Sequence, residues 1–182
     1  MRYADDFVVM CRKDVEEPLK VVRHVLQRLG LSLNEAKTHV VDATEASFNF
    51  LGFAIRMSRG IRTGKPYPHV CPADKSLMKI KTKLTQMTGR ELTPIALDKI
   101  VDNVNSSLKG WANYFHYRNS NQVMEKVKTH AEQRLRAHLM KRHKVKDRGI
   151  GEGRFPSVDL YRRYGLYKVP TAAGWKSAHA LV

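Results

Sequence analysis

Apolar residues recur at helical spacing along the C-terminal part of the chain, and this pattern constrains the fold more than any other feature of the sequence. The spacing predicts helices over residues 75–87, 94–117 and 120–139. Thr93 precedes a proline, as at many helix starts, and Ser120 can cap the third helix. Three helices joined by short connections predict a small bundle.

The N-terminal part has a different pattern. An apolar run at residues 7–10 predicts a buried strand. A capping pattern followed by helically spaced apolar residues predicts a helix over residues 15–29. Strands are predicted at residues 39–41 and 48–55, with a short edge strand at 65–71. This order favours the α+β class over a doubly wound sheet.

Glycine and proline residues between positions 60 and 72 interrupt the chain, so we place a domain boundary there. The predicted domains are residues 1–73 and a helical domain at residues 74–148. Residues 149–182 form a C-terminal extension, in which a Gly-rich link at 149–153 precedes a short helix that leads into a strand.

Positive charge is concentrated in the C-terminal part. The chain has 33 Lys and Arg against 17 Asp and Glu, a formal net charge of +16. Residues 1–73 carry +3 of this charge and residues 74–182 carry +13. A field of this strength attracts polyanions and favours nucleic acid as the partner. A merely soluble surface does not require so one-sided a charge, and an anionic membrane surface is a weaker alternative.

The cysteine usage and the N-terminus indicate the compartment. Cys11 and Cys71 form no Cys-x-x-Cys pair, which argues against zinc fingers and disulfide frameworks and suits a reducing environment. The sequence has no signal-peptide pattern and no apolar run of about 18 residues that could span a membrane. We therefore expect a soluble cytoplasmic protein without a membrane partner.

Two adjacent carboxylates, Asp5 and Asp6, lie at the head of the first apolar run. Carboxylates on a tight hairpin can hold two divalent ions about 3.5–4 Å apart for phosphoryl transfer. Mg²⁺ suits this role because it accepts a few carboxylates and completes its shell with water and phosphates. Taken alone, an Asp-Asp pair is more often an ordinary turn.

Three motifs together resemble the palm of reverse transcriptases. They are Tyr-Ala-Asp-Asp at positions 3–6, the segment 30–38 that ends in Lys-Thr, and Phe-Leu-Gly-Phe at positions 50–53. Three motifs in this order are far more specific than any one of them. The resemblance implies that the Asp-Asp hairpin binds two Mg²⁺ ions once the palm site is complete, and that the third motif is a strand that grips the primer end. The positions that match are Asp5 and Asp6 for catalysis and metal binding, and Tyr3, Lys37, Phe50, Leu51, Gly52 and Phe53 for nucleotide and primer.

The segment 110–118, Gly-Trp-Ala-Asn-Tyr-Phe-His-Tyr-Arg, interleaves aromatic and basic residues on one predicted helix. Such a pattern suits base stacking and phosphate contact with RNA. Together with residues 105–109 it resembles the maturase-specific domain of group II intron proteins, which forms the polymerase thumb and binds intron RNA. The residues that we predict to contact RNA are Lys75, Lys79, Lys83, Lys109, Tyr114, Tyr117, Arg118, Arg134, Lys141 and Arg142.

Several of these residues have ordinary structural alternatives. Lys37 is equally well a surface lysine, since one charge carries little information. Phe50 and Phe53 can pack into a core while they form the third motif. The spacing of Trp111 and Phe115 favours core positions over RNA contact. In the tail, the absence of a Cys/His cluster predicts that the chain has no zinc-containing nuclease module of the kind that ends many family members.

We interpret the chain as the C-terminal part of a group II intron reverse transcriptase/maturase: part of a palm followed by a helical thumb that binds intron RNA and assists splicing. A DNA primer or target is a further candidate partner. In such polymerases the fingers and another palm aspartate lie upstream, so we expect no polymerisation by this chain alone. One alternative is an active RNA-directed DNA polymerase completed by upstream sequence or by an upstream reverse-transcriptase polypeptide in trans. The other is an inactive remnant of a mobile element.

Overall fold

The computed structural model describes residues 2–3, 6–12 and 14–173 and shows an α+β protein with a helical C-terminal region, as the sequence predicts. The described residues of the first half form two-residue strands β1 and β2, one helix and a three-stranded sheet. Those of the second half form five helices and a short 3-10 helix at Arg90–Leu92. The elements are β1 (Arg2–Tyr3), β2 (Asp6–Phe7), α1 (Glu16–Arg28), β3 (Phe48–Phe50), β4 (Phe53–Arg59), β5 (Pro66–Pro72), α2 (Asp74–Met87), α3 (Leu97–Phe115), α4 (Asn121–Arg142), α5 (Arg148–Arg154) and α6 (Ser157–Arg162).

Strands β3, β4 and β5 form an antiparallel sheet in sequence order. The predicted edge strand is confirmed as β5, which pairs along all of β4. The prediction of a single strand over residues 48–55 is wrong, because Leu51 and Gly52 turn the chain between β3 and β4. Both have positive φ, 50° and 81°, which is the combination that a type I′ hairpin turn requires.

Two other predicted strands are absent from the described residues. Strand β2 ends at Phe7, and residues 39–41 are irregular. Several apolar side chains of these two segments are exposed, among them Met10 at 69% and Val40 at 63%. An apolar run indicates strand propensity, but the packing that stabilises a strand depends on a covering surface, which the run itself does not specify.

The predicted first helix is confirmed as α1, and Gly30 follows it with φ of 68°. Asp14 accepts a hydrogen bond from the backbone N–H of Glu16 at 2.9 Å and so helps to cap it. No residue of α1 is buried. The amphipathic pattern therefore predicted the helix correctly, but its apolar face is only partly covered: Leu19, Val22 and Leu26 are half-buried and Val25 is exposed.

The core lies in the helical region. Helices α2, α3 and α4 pack through the residues that the helical spacing predicts, with Leu84, Leu108 and Leu135 fully buried. Helix α3 begins three residues later than predicted, because residues 93–96 form a turn after the 3-10 helix, which ends at Leu92. None of the helices in the described ranges combines the length and the apolar composition that crossing a membrane requires.

The segment after α4 belongs to the same core. Phe155, Leu160, Leu166 and Val169 are buried against the bundle. The predicted link at 149–153 is instead part of α5, whose N-cap Asp147 accepts a hydrogen bond from the N–H of Ile150 at 2.8 Å. The short helix is confirmed as α6, whereas the strand predicted after it is absent from the described residues.

Polar contacts secure this segment to the bundle. The hydroxyl of Tyr161 donates to Glu132 of α4, and the hydroxyl of Ser157 donates to the same carboxylate at 2.7 Å. Burial, and next the contact with Glu132, raise the pKa of the Tyr161 hydroxyl, which therefore remains a donor. On α3, Asn105 donates to the carbonyl of Gly165 at 2.8 Å and accepts from the N–H of Tyr167 at 2.7 Å.

Candidate nucleic-acid interface

The Asp-Asp motif is only partly described. Asp5 lies outside the described residues, and so does the side chain of Tyr3. Asp6 is exposed in β2, where its backbone pairs with that of Tyr3 in an antiparallel hairpin. An aspartate offers the oxygen donors that Mg²⁺ prefers. However, within the described ranges no three His, Cys, Asp or Glu side chains are grouped so that they could hold a metal ion, and we derive no step through a metal.

Lys37 and the Phe-Leu-Gly-Phe motif, which were predicted to bind nucleotide and primer, differ in their exposure to solvent. Lys37 is exposed in a turn, where its N–H donates to the carbonyl of Asn34 at 3.0 Å. Phe50 is buried, and Leu51, Gly52 and Phe53 are half-buried. The Phe-Leu-Gly-Phe motif is therefore a hairpin turn with its two flanking residues, not a strand.

This turn is seated on the helical region. The carbonyl of Gly52 accepts hydrogen bonds from the hydroxyl of Ser76 and the N–H of Ala73, each at 2.9 Å. The hydroxyl of Tyr114 donates to the carbonyl of Leu51 at 3.1 Å. A Cβ atom at Gly52 would lie 3.0 Å from Ser76 Oγ and 3.1 Å from the Phe115 ring. Position 52 therefore requires glycine for two reasons: its φ is positive, and the turn lies so close to Ser76 and Phe115 that no side chain fits.

The aromatic stretch of α3 meets the same turn. The ring centroid of Phe53 lies 5.1 Å from that of Phe115, 5.8 Å from Tyr114 and 6.1 Å from Tyr117. Trp111 packs on Phe115 at 4.8 Å, as its spacing favoured. We call this group of rings the sheet–bundle seam. Tyr114 is still 53% exposed, so one face of it can meet a ligand.

Two predicted RNA-binding cations lie beside tyrosine rings. The Arg118 guanidinium lies 5.4 Å from the centroid of Tyr117, and its Nε donates to the Tyr117 hydroxyl at 3.0 Å. Lys109 lies at the other end of the aromatic stretch, with its Nζ 5.8 Å from the centroid of Tyr167. Both are cation–π contacts.

Three other predicted residues, Lys75, Lys79 and Lys83, form an exposed row on α2, which we call the lysine ridge. Arg134 and Arg142 instead hold the ends of neighbouring elements. Arg134 donates to the Thr88 hydroxyl at 3.1 Å and to the Thr85 carbonyl at 3.3 Å, at the C-terminal end of α2. Lys141 is exposed on the last turn of α4.

Arg142 performs the corresponding role at the start of α3. Its Nη1 donates to the carbonyls of Thr93 and Ile95 at 2.8 and 2.6 Å. Both carbonyls lie in the turn before α3, so Arg142 ties the end of α4 to this turn.

A basic depression on α4 was not among the predicted sites. Two adjoining hollows, of about 380 and 480 Å³, share His130 and Gln133 and run along the exposed face of α4. We call them the α4 trough. Its basic residues are Lys81, Lys126, His130, Arg134, Arg136 and Arg148.

The spacing Lys126, His130, Gln133 and Ala137 marks one stripe of α4 and was a signal for this surface in the sequence. Lys81 and Arg148 carried no such signal, because they come from α2 and α5 and join the trough only through packing. Two acidic residues also line it. Glu125 pairs with Lys128 at 3.0 Å, and Glu152 pairs with Arg148 at 3.4 Å.

His130 forms part of the floor of the trough. Its Nε2 lies 3.1 Å from the Lys81 carbonyl and 3.3 Å from the Thr85 hydroxyl. Burial lowers the pKa of His130, and the positive charges of Lys81 and Arg134 lower it further. The hydrogen bond to the Lys81 backbone raises the pKa and partly offsets these effects. The charged form of the imidazole is therefore disfavoured, and the positive charge of the trough comes from its lysines and arginines.

One family model of known proteins matches this part of the chain. Residues 77–152 match the family model of the group II intron maturase-specific domain, from the first turn of α2 to within α5. The match covers 76 of the 182 residues, so the chain is similar to this domain over fewer than half of its residues. A search of curated proteins found no match.

Proposed function

We propose that this chain binds group II intron RNA through its helical region and assists splicing of the intron. The observation that carries the proposal is the match of residues 77–152 to the maturase-specific domain. The charge of +13 on residues 74–182 supports it, because RNA binding draws on phosphate contacts. The exposed cations of α2 and α4 offer such contacts.

A binding experiment tests the RNA partner. The full chain is titrated into a labelled group II intron transcript, with an unrelated transcript of equal length as the control. We expect binding to the intron to be tighter by at least about tenfold, and affinity for both transcripts to fall steeply with salt. Equal affinity for the two transcripts would reduce the activity to general RNA binding and refute the intron as the specific partner.

A splicing experiment tests the consequence of binding. The same intron, placed between exons, is incubated at a magnesium concentration at which it splices slowly by itself. We expect the chain to raise the rate of exon ligation, since a protein that binds the folded RNA stabilises that form by mass action. An unchanged rate at saturating protein would refute the role in splicing even if the RNA binds.

We also propose that Asp5 and Asp6 belong to the metal site of an RNA-directed DNA polymerase that needs further residues for activity. The β1–β2 hairpin supports this proposal, because it gives the motif the form that the reverse-transcriptase resemblance implies. Primer extension on an RNA template with Mg²⁺ tests it. We expect no extension by this chain alone, and extension that depends on Asp5 once an upstream reverse-transcriptase polypeptide is added. Extension that persists in Asp5→Asn would contradict it.

A further inference from the structure

We propose that the phosphate backbone of the bound RNA lies in the α4 trough, and that the lysine ridge of α2 is a secondary contact. This inference deepens the proposed function and rests on it. Of the trough's basic residues, only Arg134 was singled out by the sequence as an RNA contact. The others enter through the way α2, α4 and α5 pack together.

Two of the three arginines of the trough, Arg134 and Arg136, are already held in position. Arg136 donates from Nε to the Phe155 carbonyl at 2.9 Å and from Nη2 to the Ser157 hydroxyl at 3.0 Å. Arg134 is fixed in the same way through Nε and Nη2 by residues of α2. A guanidinium has five N–H donors, so each fixed arginine keeps donors for a phosphate.

Because hydrogen bonds already hold these arginine side chains, less conformational entropy is lost when they bind a phosphate. The folded chain has already restricted the side chains of Arg134 and Arg136, whereas the ridge lysines are exposed. Ordering a long lysine side chain costs about 1.5–2 kcal/mol of conformational entropy. A phosphate therefore binds to Arg134 and Arg136 with a smaller loss of entropy than to two lysines of the ridge.

The shape of the trough also suits a polynucleotide backbone. From Lys126 to Met140 it follows four turns of α4, which is about 20 Å of helix. Surfaces that track a single strand cover about 4–16 nucleotides, so this length accommodates a short run of the chain. Thr129 and Gln133 lie between the cations and offer uncharged donors to phosphate or 2′-hydroxyl oxygens.

Three matched glutamine-to-glutamate substitutions test the location. Gln133→Glu places a negative charge where the two hollows of the trough meet. Gln86→Glu places the same charge on the lysine ridge, three residues after Lys83 and seven after Lys79 on α2. Gln27→Glu places it on α1, away from both surfaces. All three glutamines are exposed, so the nearly isosteric change leaves the core intact.

Each variant is measured as the full chain with a fluorescein-labelled fragment of the group II intron transcript by anisotropy. We expect Gln133→Glu to weaken binding about tenfold, and the other two substitutions to change it by less than about twofold. A weakening by Gln86→Glu that equals or exceeds that of Gln133→Glu would overturn the proposal in favour of the ridge. So would unchanged affinity in Gln133→Glu.

A salt titration is a second test of where the RNA binds. The pair Lys81→Gln with Lys126→Gln removes two trough cations, and the pair Lys99→Gln with Lys168→Gln removes two exposed lysines elsewhere. We expect only the trough pair to reduce the slope of log affinity against log salt, by about 2. Equal slopes in the two pairs would show that only overall charge matters and would overturn the proposal.

The controls separate the two proposals. If the wild-type chain binds no RNA at all, the function proposed above fails and the trough proposal fails with it. If the wild-type chain binds but Gln133→Glu does not differ from Gln27→Glu, only the trough proposal fails. Poly-glutamate as a competitor shows whether the trough prefers RNA, and displacement at the same charge concentration as RNA would overturn that preference.

Discussion

Helices α1 and α2 both have an amphipathic sequence pattern, yet only one of them is buried. In α2 the side chain of Leu84 is completely buried and that of Ile80 is 4% exposed. In α1, Val21 is 59% exposed and Val25 47%. The pattern decides that a helix can form, but burial requires a second surface of matching shape, which α3 and α4 provide for α2 alone.

The same difference in burial is found between the regions that surround the two helices. The helical region has one continuous core that reaches from Leu77 to Val169. Residues 6–47 contain no buried side chain among those described. Most of the measurable stability should therefore come from the helical region, since apolar burial is the main favourable contribution to folding.

The largest effect is expected for a core truncation compared between the two regions. Leu135→Ala removes a fully buried side chain from α4 and should lower the free energy of unfolding by about 3–5 kcal/mol. Val25→Ala on α1 should change it by less than about 0.5 kcal/mol. Urea denaturation followed by circular dichroism measures both. Similar losses would show that α1 is packed in solution.

The next largest effect on stability is expected at the contact between the β3–β4 turn and the helical region. Gly52→Ala and Gly30→Ala both place a methyl group at positive φ, which costs about 1–2 kcal/mol. At Gly52 the methyl group also meets Ser76 and Phe115, whereas nothing lies within 4 Å at Gly30. We expect Gly52→Ala to cost about 1–3 kcal/mol more. Thermal unfolding measures this difference, and equal costs would mean that the turn is not seated on the bundle.

A smaller effect tests whether the segment after α5 belongs to the fold. Asn105→Ala removes both hydrogen bonds that hold residues 165 and 167, and should cost about 1–3 kcal/mol. Asn103→Ala removes an exposed amide from the same helix and serves as the control. The variant should also show faster proteolysis after residue 154. A protease pattern identical to that of the control would contradict the contact.

The smallest effect is a dependence on pH through His138, which is fully buried on α4. Burial lowers its pKa, and Arg142 and Lys141 act in the same direction, while the backbone of Thr88 and Gly89 partly opposes them.

Because the folded state disfavours the charged imidazole, the unfolded state binds more protons. The stability that His138 contributes is therefore complete above the unfolded pKa of about 6.5 and is lost as the pH falls below it. We expect unfolding free energy to fall less between about pH 7 and 5 in His138→Gln than in the wild type. His143→Gln, which changes an exposed histidine, is the control. Parallel pH profiles for all three proteins would contradict the assignment.

Much of the fold could be predicted because it follows from local patterns. Helices α1 and α2, the edge strand β5 and the apolar stripes of α3 and α4 were all readable from spacing and capping residues. The wrong predictions arose where the conformation of a segment depends on contacts with residues outside that segment. The sequence pattern places Leu51 in a strand, and only the pairing of Phe50 with Phe53 shows that the chain turns at Leu51. Gly149, Gly151 and Gly153 read as a link, but Gly151 is buried in α5, where a side chain would collide with Met140 of α4.

The candidate site was predictable to a smaller extent. The aromatic stretch around Trp111 and the basic charge indicated the family and an RNA partner from the sequence alone, and the family model supports the first of these. The positions of the cations could not be predicted. Arg134 and Arg142 read as surface charges, but each one bonds to carbonyl groups of another element.

The sequence by itself determined the helical periods, the excess of positive charge and the maturase-specific pattern, because each is a property of residues close together in the chain. Only the tertiary structure decided that Phe-Leu-Gly-Phe is a turn seated on Phe115, and that Lys81, Gln133 and Arg148 share one trough. The physical reason is that periodicity and charge are local, whereas a concave surface exists only after separate helices have packed against a common core.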